Sequence, residues 1–160
     1  MNEKITIIED DLLIAEMLEF KFRTQGFRMI KRYDSGESFL NEKLPNTDLF
    51  ILDYHLGEGR NGVNILRKIR QRFPNSKVVM FTSQEDISVA VNSLKIGADA
   101  YIIKGEDMFD ELENEIKRLI GKVGSSNYLI KKMHQRDFFI VGSTALLSVV
   151  FLVGLLKMIL

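Results

Sequence analysis

The chain contains no cysteine. Disulfides, thiol catalysis and thiolate metal sites are therefore excluded, and nothing in the composition calls for an oxidising compartment. A basic surplus is also missing. Residues 1–122 hold 18 Lys/Arg against 21 Asp/Glu, a mildly acidic body without the positive face that a grip on nucleic-acid backbone requires, so no nucleic-acid partner is expected. The first residues, "MNEKITIIEDD", lack the apolar core of a secretory leader, and the body is expected to stay in the cytoplasm. No Walker-type phosphate loop occurs, and no repeat beyond an alternation of strand-like and helix-like segments. What remains is a chain of 160 residues, enough for one domain with a real core and not for two.

Short apolar runs punctuate residues 4–103: Lys4–Ile8, Arg28–Tyr33, Leu49–Leu52, Lys77–Phe81 and Ala100–Ile103. Four are continuously apolar, as strands covered on both faces must be. The second, "RMIKRY", is more polar and reads as an edge strand. Between the runs lie helical stripes: Leu13, Met17, Leu18 and Phe22 before Gly26; Ile65, Leu66, Ile69 and Phe73 before Pro74; Ile87, Ala90, Val91 and Leu94 before Gly97; and Phe109, Leu112, Ile116, Leu119 and Val123. Residues 35–44 form a shorter helix candidate. Glycine and proline fall where helices should stop. The order predicts an α/β fold, a (βα)5 doubly wound parallel five-stranded sheet.

In such a sheet, chemistry collects at the carboxyl ends of the strands. Glu9, Asp10 and Asp11 follow the first strand, Asp53 the third, Thr82 and Ser83 the fourth, and Lys104 the fifth. Two carboxylates about 4 Å apart repel by roughly 4 kcal/mol at an effective dielectric near 20. Gathering Glu9, Asp10 and Asp53 is thus unfavourable without compensation, and a hard cation such as Mg²⁺ supplies it. With the Lys104 ammonium and the Thr82 hydroxyl beside it, the set suits a tetrahedral phosphoryl group. Simpler roles compete: Asp10, Asp11, Thr82 and Ser83 all stand where helix caps stand. "GEGRNG", Gly57 to Gly62, matches a dinucleotide-binding fingerprint, but it follows the third strand and lies beside acids that repel a pyrophosphate. An aspartyl phosphatase of the haloacid dehalogenase type wants a second acid two residues beyond its nucleophile, where His55 stands.

The segments "IIEDD", "LFILDYHL", "VVMFTS" and "GADAYIIKG", in that order and at that spacing, resemble the receiver domains of bacterial two-component response regulators over about residues 3–122. The resemblance implies that Asp53 accepts phosphate from a sensor histidine kinase or a histidine phosphotransfer protein. It implies that Asp10 and Asp53 bind Mg²⁺ with the backbone carbonyl of His55, while Glu9 acts largely through water. Thr82 maps to the switch hydroxyl, Tyr101 to a switch aromatic that turns inward on phosphorylation, and Lys104 to the family's lysine. Such a domain is no general enzyme; it catalyses only its own phosphorylation and dephosphorylation. The family usually has proline after that lysine, with a cis peptide, and here Gly105 follows. A non-proline cis bond costs about 2.5–4 kcal/mol, and the sequence leaves the isomer open. Ser83 replaces a frequent alanine, and the loop after Leu56 lacks the family's usual proline.

After a linker over residues 123–137, basic through Lys131, Lys132 and Arg136, comes "FFIVGSTALLSVVFLVGLL", Phe138 to Leu156, nineteen residues without a charge. As a helix it reaches about 28 Å, close to a hydrocarbon core of roughly 30 Å. Residues 138–160 are therefore expected to form a transmembrane anchor. The preceding cations place the receiver, residues 1–122, on the cytoplasmic side of the bacterial membrane with the C-terminus outward. Thr144 and Ser148 are a small-xxx-small pair that leaves tail-mediated homodimerisation open. With no DNA-binding module expected, output falls to an unknown downstream protein. A phosphorylation-independent membrane adaptor on the same fold is the alternative.

Overall fold

A computed structural model describes residues 2–42, 46–57 and 61–121. Ten elements alternate strictly: β1 (Lys4–Ile8), α1 (Leu12–Thr24), β2 (Met29–Tyr33), α2 (Gly36–Asn41), β3 (Leu49–Leu52), α3 (Gly62–Arg72), β4 (Lys77–Thr82), α4 (Ile87–Ile96), β5 (Ala100–Ile103) and α5 (Met108–Ile120). All strands are parallel, in the order β2-β1-β3-β4-β5. The polar run is indeed an edge: among the described residues β2 pairs only with β1.

Alternate side chains of each strand feed two cores. Ile5, Ile7, Leu49, Ile51, Val79 and Phe81 pack with Leu18 and Phe22 of α1 and Leu112 and Ile116 of α5. On the other face, Ile8, Phe50, Leu52 and Met80 pack with Phe39 of α2 and Ile65, Leu66 and Ile69 of α3. Partly buried Val89, Ala90 and Leu94 of α4 close that side. Both cores are built wholly from residues between Ile5 and Ile120, within a compact unit spanning Met1–Gly121. This unit carries everything it needs to fold alone.

Two helical stripes differ from the sequence reading. In α1 the buried residues are Ala15, Leu18 and Phe22, while Leu13 and Met17 are exposed together with Phe20. That helix is apolar nearly all round, so periodicity alone does not fix the face that meets the sheet. In α4, Ile87 and Val91 are exposed and Ser93 is buried. Its hydroxyl is satisfied within the helix, donating to the Val89 carbonyl at 2.8 Å, which removes most of the cost of burying it.

Opposite the carboxyl edge, Arg70 ties α3 to the turn between α4 and β5. It donates to the carbonyls of Gly97 (2.7 Å) and Ser76 (2.5 Å) and to Asp99 Oδ2 (2.7 Å). Gly97, at φ +117°, ends α4 in the left-handed region that favours glycine.

The expected linker and anchor, residues 123–160, lie outside the described residues. Among the described residues no helix is long and apolar enough to cross a membrane.

Candidate phosphoacceptor site

The parallel ladder runs one residue past the strands, and this sets the site. Glu9 N donates to Tyr33 O (3.0 Å), Asp53 N to Ile8 O (3.0 Å) and Lys104 N to Thr82 O (2.8 Å). Glu9, Asp53 and Lys104 are therefore each the first residue beyond their strand, held at the rim by a backbone bond to a neighbouring strand.

Lys104 closes the group. Its Nζ lies 2.8 Å from Glu9 Oε1 and 2.7 Å from Asp53 Oδ2, with 14% of its side chain exposed. Glu9 and Asp53 are buried, while Asp10 is exposed. The peptide after Lys104 is trans, since no cis bond occurs among the described residues, and the lysine still reaches both acids without the family's proline. The other Asp53 oxygen accepts from Tyr54 N (2.5 Å) and His55 N (3.3 Å). The chain thus wraps the carboxylate on one side and Lys104 covers the other. The His55 ring is set edge-on to Tyr54.

Burial, reinforced by the charge of Asp53, pushes the Glu9 carboxyl up to about 8. Burial alone lowers the Lys104 ammonium, but the hydrogen bonds to Asp53 and Glu9 outweigh it and leave Lys104 raised. One cation, Lys104, thus faces both buried acids, and burial favours the protonated form of Glu9.

Ligand oxygens of Glu9, Asp10 and Asp53 lie within 4.8 Å of one another. These are hard oxygen donors, two of them buried, and three carboxyl groups beside a single ammonium fit Mg²⁺. A cleft of about 340 Å³ opens beside Glu9 and Asp10 along the β2 edge.

Thr82, fully buried, accepts from Gln84 N at 3.2 Å and so shapes the β4–α4 loop. Tyr101 is already turned inward: it is buried, and its hydroxyl donates to Gln84 O at 2.7 Å. Burial, followed by the nearby charges of Tyr54, Asp53 and Asp86, pushes its phenol up to about 12. The capping alternatives sort cleanly. Asp11 caps α1, its Oδ1 accepting from Leu13 N and Ile14 N. Asp86, not Thr82 or Ser83, caps α4.

Gly62 was legible only as part of the rejected fingerprint. A Cβ there would sit 2.1 Å from the Asp53 carbonyl oxygen and 2.8 Å from Tyr54 Cα, and Gly62 N donates to Tyr54 O at 2.7 Å. The first residue of α3 thus presses against the backbone of Asp53 and Tyr54. In an open helix Gly→Ala gains about 1 kcal/mol. Here the clash is with backbone and dominates: Gly62→Ala is expected to lower stability by about 2 kcal/mol or more in urea denaturation and to slow modification of Asp53.

The phosphate regulon transcriptional regulatory protein PhoB of Rhizobium meliloti is 35% identical over 108 residues, covering 65% of this chain and 46% of that regulator. The chain thus spans less than half of that relative. Among solved structures, the BeF3-activated DrrB receiver domain is 27% identical with a TM-score of 0.68, covering 76% of this chain and all of that one. TrrA from Thermotoga maritima, in complex with Mg²⁺ and BeF, is 28% identical with a TM-score of 0.63, covering 72% and 96%. Residues 5–117 match the model of the response regulator receiver domain, and with the acids, hydroxyl and lysine assembled on one sheet edge, the chain belongs to that family.

Proposed function

We propose that Asp53 is the phosphoacceptor of a membrane-anchored signalling receiver. The observation that carries this is the convergence of Glu9, Asp10, Asp53, Thr82 and Lys104 at the carboxyl edge, with Asp53 buried between backbone amides and an ammonium. A phosphohistidine of a sensor kinase or phosphotransfer protein is the donor. A carboxylate oxygen of Asp53 attacks phosphorus, the P–N bond breaks, and the imidazole leaves and takes up a proton. Glu9, Asp10, Asp53 and the His55 carbonyl are the residues that would hold Mg²⁺, which neutralises charge on the transferring phosphoryl oxygens when bound. Lys104 and Thr82 then bind those oxygens. Thr82 also bonds Gln84 N, and Gln84 O holds Tyr101, so a phosphate contact at Thr82 biases the β4–α4 loop. The output is a shift in population of the surface formed by α4 and β5.

Incubation with a small phosphodonor and Mg²⁺, read by intact mass, tests the acceptor. The full chain should gain one phosphoryl group, and Asp53→Asn none. A gain retained in Asp53→Asn rejects the assignment, and no gain in either protein favours the phosphorylation-independent adaptor.

Anchoring is supported by the uncharged run from Phe138 to Leu156 behind Lys131, Lys132 and Arg136. The receiver then faces the cytoplasm and signals by protein contact at the membrane. Full-length protein should resist extraction by alkaline carbonate, and a variant lacking residues 138–156 should be released; release of both removes the anchor from this reading.

A further inference from the structure

The two helical layers are oppositely charged. The helices α1 and α5 hold six acids against four cations, and all four cations lie in ion pairs: Lys21 with Asp110 and Glu113, Arg23 with Glu19, Lys117 with Glu113, and Arg118 with Glu115. On the opposite layer, α3 and α4 carry five cations and no acid at all. Among the described residues Arg70 is the one of these that binds a carboxylate, Asp99, together with two carbonyls. Arg67, Lys68, Arg72 and Lys95 are exposed. Among the described residues none of these four has a carboxylate partner: Arg67 donates to the Asn64 side chain and Arg72 to the Glu42 carbonyl. The Arg70–Gly97 bond joins the two helices at the end that bears Lys95, so the four cations belong to one rigid layer.

We infer that the α3–α4 face is an electrostatic contact surface for an anionic lipid bilayer. It would turn the charged layer to the membrane, so that the α4–β5 shift proposed above also alters this contact, and leave the acceptor edge and the acidic α1–α5 layer to proteins. Besides the cations, the exposed side chains of the two helices are Asn64, Gln71, Ser88 and Asn92, with the aliphatic Ile87 and Val91 on the turns before Lys95; none is a stacking aromatic of the kind by which single-stranded nucleic acid is held. Scattered cations on an open helical layer match a field of headgroups, each adding an increment that decays within a Debye length. The inference rests on the anchored reading above, which keeps this domain within a linker's reach of a bilayer, where a weak surface attraction suffices to orient it.

The experiment separates the two ideas by using residues 1–121, which contain both cores and none of the tail. This fragment should co-sediment with phosphatidylcholine vesicles containing phosphatidylglycerol and not with pure phosphatidylcholine, and high salt should abolish binding. Arg67→Gln with Lys68→Gln should weaken partitioning about twenty-fivefold, near fivefold per cation removed. Arg67→Gln alone should weaken it about fivefold, whereas Lys117→Gln, an equal single charge loss on the other layer, should change it less than twofold. Indifference of the fragment to anionic vesicles overturns the inference, as does an equal effect of Lys117→Gln and Arg67→Gln. Binding to a single-stranded oligonucleotide without vesicle binding would assign the face to nucleic acid instead. If the fragment fails while the full chain resists carbonate, the anchor stands and this face does not orient it. If the fragment binds while the full chain is released, the surface stands without the anchor.

Discussion

Replacing Lys104 with Met lowers the stability of the metal-free domain by about 3 kcal/mol at neutral pH, and excess magnesium restores most of the loss. Methionine keeps an aliphatic stem, so packing near Phe81, whose ring centroid lies 5.7 Å from Nζ, is largely conserved. What disappears is the one cation between Glu9 and Asp53, whose side chains are 2% and 5% exposed. Breaking a buried pair costs about 3–5 kcal/mol because a charge is left uncompensated; the lower end applies because Glu9 already holds its proton at neutral pH. A second cation beside the same oxygens substitutes for the first. Acid also closes the gap: in the variant the folded state binds more protons than the unfolded chain, so its stability rises as pH falls. Urea denaturation with chelator and with magnesium, at neutral and acidic pH, reads all of this. A loss that neither magnesium nor acid reduces would show that Lys104 acts through packing rather than charge.

Glu9→Gln moves in the opposite direction. The Glu9 carboxyl titrates at about 8 in the folded protein against an ordinary 4.5. Between those values the folded state holds a proton that the unfolded chain has released, so this group's contribution to stability is fully present below pH 4.5 and is lost as pH rises toward 8. The amide has no proton to lose. It should therefore stabilise the metal-free domain by about 2–4 kcal/mol at pH 7.5, the upper figure being the full linkage gain. Near pH 4.5 wild type and variant should melt alike. The same substitution removes one oxygen donor and much of the repulsion that a metal relieves, so the magnesium-induced rise in melting temperature should shrink sharply. A variant no more stable than wild type at pH 7.5, or one with an undiminished magnesium response, contradicts this account of Glu9. Stability and metal binding are opposed at this position.

Much of the architecture was legible because it is set by order along the chain. The runs Lys4–Ile8, Leu49–Leu52 and Ala100–Ile103 match strands to the residue, since strands covered on both faces leave long apolar signals between turns. The reading of helix faces was weaker. In α1, eight of thirteen residues are apolar, Leu12, Leu13, Ile14, Ala15, Met17, Leu18, Phe20 and Phe22, and several faces satisfy the same period. Gly62 was hidden for another reason: its neighbour in space, the Asp53 carbonyl, lies nine residues back across a loop, and a glycine in such a loop has many uses. Tyr101 was legible from the sequence as the residue that maps to a switch aromatic, but its contact with Gln84 and the direction of its ring were not.

By itself, the sequence determined that Glu9, Asp10, Asp53, Thr82 and Lys104 share one rim, because parallel strands joined by right-handed crossovers bring every strand's carboxyl end to the same edge. Only the tertiary structure decided that Lys104 bridges two buried acids, that Tyr101 points inward, and that the unpaired cations of α3 and α4 occupy one layer. Connectivity fixes where a residue begins; the direction and partner of its side chain are settled by packing against residues distant in sequence.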